Sequence, residues 1–264
     1  MTTHFPNAPL IEIVAEVEWA PRKRPDSSDG EFDAYEYVGQ SPHDRRLSAA
    51  FAAAGFTQIE RLIPAGFEGS GPKLKFSNPS DPAGSITYKL GDTGLSVSAI
   101  PPYQYWDQFL PEIRRGLEII LHNREDDSHP GEFVRVTLNY VDAFGEDFWA
   151  GTSRSEFLTE SLGFQLSIPK AFQPRLAGGD ADSFFIDSFG KTTSGDSVAI
   201  KAGFATVLGE PKVILDITVL HQSNVPADVE AVISALETAH AFIHESFIDL
   251  TRGFVDVLNR EVEK

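Results

Sequence analysis

Two histidines four residues apart, His240 and His244, have a spacing that could do chemistry. On a helix, positions i and i+4 share one face, which is how helical histidines ligate zinc, and Glu237, Glu245 and Asp249 lie close by. No H-E-x-x-H accompanies them, and the sequence names no third ligand. His240 also falls in register with the apolar stripe Val229, Ile233, Leu236, Ile243, Phe247. A core-edge histidine, hydrogen-bonded to a neighbouring strand, is therefore the favoured reading, with no metal and no cofactor. Asp142, Glu146, Asp147 and Asp187 are candidates for paired carboxylates in general acid–base work. Among 39 acidic residues such groupings arise freely, so structural or solvating roles are preferred. Ser-His-Asp catalysis lacks a G-x-S-x-G elbow. The run Gly190-Lys191-Thr192-Thr193-Ser194-Gly195 lacks the order of a phosphate loop and reads as a hairpin turn.

Binding chemistry has more to stand on. Tyr103, Tyr105, Trp106 and Phe109 group aromatic rings at a helix start. They either pack that helix onto a sheet or line a pocket. Arg135, Tyr140 and His240 complete the candidate binding set, and Leu250, Phe254 and Val257 form a candidate interface stripe. With no cysteine in 264 residues, disulfides, thiolate metal sites and cysteine nucleophiles are excluded. The net charge of −17 disfavours nucleic acid and anionic membranes as partners, because both require basic surface. No apolar run approaches the ~18 residues of a membrane span, and no leader pattern opens the chain. These features predict a cytoplasmic protein.

The elements that must position these residues follow from pattern. Strands are expected at 10–19, 58–63, 74–77, 86–90 and 95–100, with Gly91 to Gly94 as a hairpin. A helix should run to Asn123 from near Asp107, because Pro111 is tolerated only in a first turn. Further strands are expected at 133–144, 164–168, 183–189, 197–207 and 212–221. Ser153 and Glu156 form a capping box before a short helix, and one unbroken helix is expected from Pro226 to about Asn259. The order strand, helix, several antiparallel strands, helix occurs twice, at 1–125 and 126–264. The first half carries 12 basic and 17 acidic residues, the second 10 and 22. The fold class expected is α+β, a long antiparallel sheet covered by helices in two similar halves. That arrangement resembles the saddle of the TATA-binding protein, an analogy of fold that carries no function.

Four segments together resemble a sporadically distributed, uncharacterised bacterial protein family. They are Asn7-Ala8-Pro9-Leu10-Ile11-Glu12, Tyr105-Trp106-Asp107-Gln108-Phe109, the strand Arg135 to Asp142, and Leu236-Glu237-Thr238-Ala239-His240 followed by Phe247. Thr137 and Asn139 stand where that family more usually has Gly and Arg. The resemblance implies no known reaction. Its scattered distribution implies mobile or defence-associated genes, phage defence among them. The sequence therefore favours a non-catalytic binding protein over an enzyme, in a defence or toxin-neutralising module. Its partner would be another protein or a second copy, with a homodimer joined through Leu250, Phe254 and Val257. The alternative is a small-molecule-binding protein or enzyme with a sheet pocket lined by aromatics and Arg135.

Overall fold

The computed structural model describes residues 5–20, 42–63, 71–81, 85–102, 105–123, 131–165 and 184–260. Tyr103 and the part of the expected strand 164–168 beyond residue 165 lie outside them.

The protein is α+β, built on a nine-stranded antiparallel sheet covered by helices. Its strands are β1 (Leu10–Glu18), β2 (Gln58–Arg61), β3 (Leu74–Ser77), β4 (Ile86–Leu90), β5 (Gly94–Ala99), β7 (Arg135–Phe144), β8 (Phe185–Lys191), β9 (Ser197–Val207) and β10 (Glu210–His221). Their order is β2-β3-β4-β5-β1-β7-β10-β9-β8. A second, two-stranded sheet pairs β6 (Glu132–Phe133) with β11 (Val225–Pro226). The helices are α1 (Pro42–Ala53), α2 (Trp106–His122), α3 (Arg154–Glu156, continued as a π turn to Ser161), α4 (Val229–Thr251) and α5 (Val255–Leu258). No helix among the described residues is long and apolar enough to cross a membrane.

The chain divides into two compact units. One comprises Glu12–Leu138 and Leu220–Ala239; the other comprises Met1–Ile11, Asn139–Val219 and His240–Lys264. In the Glu12–Leu138 unit, alternation sends Ile13, Ala15 and Val17 of β1 to a buried face. Register places Ala99, Val97 and Leu95 of β5 directly opposite them, with Ile86, Tyr88 and Leu90 of β4 next. Phe51 of α1 stacks on Phe76 of β3, with ring centroids 4.4 Å apart, and tilts against Tyr88 at 5.0 Å. Helix α2 lies over the same face. A Cβ on Gly116 would fall 2.8 Å from the Tyr88 ring, so glycine is what lets this helix approach. The Tyr88 hydroxyl then donates to a Glu112 carboxylate oxygen at 2.8 Å. Burial first, and that carboxylate second, push the phenol pKa far above its ordinary value.

In the other unit the core is aromatic. Phe144 of β7 lies 5.4 Å from Phe157, 6.0 Å from Phe254 and 6.5 Å from Phe247. The expected capping box is present: Ser153 Oγ accepts from the Glu156 N–H at 3.1 Å, and Glu156 accepts from the Ser153 N–H at 2.7 Å.

Two expectations need correction. The helix expected to run unbroken from Pro226 to Asn259 begins at Val229, capped by the Asp228 carboxylate on the Ala231 N–H, and ends at Thr251. A 3-10 turn (Arg252–Phe254) follows, and α5 after it. Helix α2 starts at Trp106, so Pro111 sits in its second turn rather than its first.

Candidate functional site

The residues proposed from sequence fall into separate surroundings. Trp106 and Phe109 are buried, 9% and 0% exposed, and pack on each other with centroids 6.2 Å apart. Tyr105 takes an extended conformation at the helix N-cap and is half-buried. These rings anchor α2.

Arg135 lies at the start of β7 and pairs with Glu18 of β1 at 3.0 Å. Both line an open cleft of about 300 Å³ with Glu16, Lys89, Thr93, Ser96 and the glycines 71, 91 and 94. Beside it the Lys73 ammonium, nearly buried, is paired with Asp92. The Gly91 N–H closes the expected hairpin onto the Gly94 carbonyl at 2.9 Å. The cleft carries charges of both signs, and Arg135 enters it already neutralised.

Tyr140 and His240 come together in the other unit. The tyrosine hydroxyl lies 2.9 Å from His240 Nδ1, and the rings stack at 5.9 Å. His244 stacks behind His240 at 5.5 Å, and burial holds its pKa below the ordinary histidine value. His240 thus sits where the apolar stripe of its helix meets a strand. No group of three or more His, Asp or Glu side chains among the described residues is placed to hold a metal. Asn139 donates to Asp216 at 2.5 Å and to Thr218 at 2.8 Å.

The proposed interface residues Leu250, Phe254 and Val257 are all half-buried, and the Phe254 ring meets Phe148 and Phe144 of its own chain edge-on. Asp147, one of the candidate carboxylates, accepts from Asn7 at 3.0 Å. Asp142 is buried, Glu146 exposed, and Asp187 exposed on β8, so these carboxylates have different surroundings.

The surface that sequence reasoning missed is β8 itself. Among the described residues β8 is the outer strand of the sheet. Phe185 and Phe189 are 71% and 76% exposed on one face of it, with Asp187 between them and Lys191 beyond. Register explains the exposure. Phe185 lies opposite Gly203 and Phe189 opposite Ala199, so β9 offers each ring no side chain of any size. Leu208, fully exposed at the turn into β10, has a positive φ of 52°. A sequence signal was present: phenylalanines at i and i+4 of a strand share a face, and residues flanking a charge on that face are poor core candidates.

No family model matches this chain, and no curated protein matches it. A solved structure, described as the di-domain ARO/CYC StfQ from the steffimycin biosynthetic pathway, is similar over 82% of this chain and 95% of its own, at 9% identity. Its TM-score of 0.21 is too low to carry any argument about fold or function.

Proposed function

We propose that this chain is a non-catalytic interaction protein, and that it recognises another polypeptide through the outer strand β8. The observation that carries the reading is the pair Phe185 and Phe189, two large apolar rings held in water on a sheet edge. An edge strand offers unpaired N–H and C=O groups, and a polypeptide laid against it completes the ladder while its side chains meet the exposed rings. The polar groups elsewhere support binding over catalysis: Arg135, Lys73 and Asn139 are each engaged by a partner within the chain. The resemblance to a sporadically distributed bacterial family makes a defence or toxin-neutralising module the setting we assign to it.

A photo-reactive phenylalanine analogue at position 189, irradiated in cells, tests this. A covalent polypeptide adduct is expected, and it should be lost when Phe185 is also changed to Ser. Irradiation that yields no polypeptide adduct overturns the reading. The open cleft near Arg135 supports a second reading, the binding of a small polar molecule there. That reading predicts a compound whose stabilisation of the fold against heat is abolished in Arg135→Ala.

A further inference from the structure

Strand β8 is specific about what can pair with it. The hairpin pattern fixes which of its backbone groups are free. The Thr192 N–H donates to the Asp196 carbonyl at 2.8 Å, and the Phe204 N–H donates to the Phe184 carbonyl at 3.1 Å. In an antiparallel ladder the bonded pairs alternate, so the even-numbered residues of β8 bond to β9. Phe185, Asp187, Phe189 and Lys191 turn their N–H and C=O groups outward. The same four residues share one face and are all exposed.

We infer that the polypeptide taken by this edge is a second copy of the chain, paired antiparallel about Phe189; this rests on the edge-recognition reading above. Only registers that set odd residues opposite odd residues satisfy the outward groups. Centring on Asp187 puts the two Asp187 carboxylates opposite each other. Centring on Ser188 puts Asp187 opposite Phe189 and Lys191 opposite Phe185. Centring on Phe189 puts Asp187 of each copy opposite Lys191 of the other and sets the two Phe189 rings side by side. Of these registers, that last one makes two opposite-charge pairs by symmetry, and cross-strand pairs of that kind stabilise a sheet. Within its own chain Asp187 lies opposite Lys201 on β9.

The strand has no proline and no charge turned into the core, and it carries two aromatic rings on its exposed face; its two charges, Asp187 and Lys191, are of opposite sign. In this register the two Phe189 rings meet while Phe185 lies beyond the paired stretch, so the rings bury roughly 300 Å² of apolar surface at about 150 Å² each, and the interface is smaller than the standard specific size. Two chains of net charge −17 also repel each other. The pairing is therefore a weak, concentration-dependent dimer, not an obligate one.

Sedimentation equilibrium over a concentration series, on the full chain, tests the pairing with three variants. Lys191→Asp sets carboxylate against carboxylate twice. Asp187→Lys sets ammonium against ammonium twice. The double variant restores opposite charges with the polarity reversed. Each single variant is expected to weaken the dimer by about tenfold or more, and the double variant to recover most of the loss. Unchanged circular dichroism and melting temperature show that the fold is intact; Lys191→Asp, away from Lys201, is the control if Asp187→Lys perturbs the hairpin. A wild-type chain that stays monomeric, or a dimer indifferent to both single swaps, overturns the inference. If the chain is monomeric yet the position-189 adduct contains a different polypeptide, edge recognition stands and self-pairing falls. If there is no adduct either, both fall.

Discussion

Asp142 is 4% exposed on β7, between Tyr140 and Phe144 on the strand's alternating face. Burial alone pushes its carboxyl up to about 7 from an ordinary 3.8. The folded state therefore holds a proton that the unfolded chain has released across this interval. With the unfolded state binding fewer protons, stability must fall as pH rises from about 4 to about 7. The loss is on the order of 4 kcal/mol if the whole shift is realised. Asp142→Asn keeps the shape and removes the ionisation. The variant is expected to match wild type near pH 4 and to be the more stable protein at pH 8, by urea denaturation. A wild-type advantage at pH 8 would show that the buried carboxylate is stabilised by a partner instead.

At the scale of elements, the C-terminal region shows where pattern reading stops. The strands at 74–77, 86–90 and 197–207 and the Ser153 cap were legible to the residue, because alternation, hairpin glycines and capping spacing are local signals. The break after Thr251 was not, since the apolar register runs on through Phe254 and Val257. The break falls at Thr251, whose buried hydroxyl donates to the Phe247 carbonyl at 2.7 Å, with Gly253 two residues on. The resulting turn aims Phe254 at Phe144, Phe148 and Phe157. Phe254→Ala is therefore expected to cost about 2–4 kcal/mol in denaturant unfolding and to leave the molecular mass in solution unchanged. A change in mass with stability intact would return Phe254 to an intermolecular role. For the site, Tyr140 and His240 were each legible from sequence, but their 2.9 Å contact joins residues 100 apart and needed the fold. The exposure of Phe185 and Phe189 was not legible, because it depends on Gly203 and Ala199 across the hairpin.

At the scale of the whole molecule, a net charge of −17 sets the long-range field. Phosphate binding draws its affinity from counterions displaced by basic residues, and this surface has few to spare. No binding to duplex DNA is expected up to tens of micromolar in about 0.15 M salt, by fluorescence anisotropy; salt-sensitive micromolar binding would contradict it. The two compact units are also interleaved along the chain, which passes between them after Ile11, Leu138, Val219 and Ala239. The ribosome delivers residues in order, and folding of a unit waits for its last segment. The Glu12–Leu138 unit lacks its closing segment until Ala239 has been made, and the other unit lacks its own until later still. The first cannot be finished and shielded until most of the other has also been made. Maturation is therefore a late, near-simultaneous event, and a nascent chain stalled anywhere before Ala239 displays two incomplete cores to the chaperones and proteases around it.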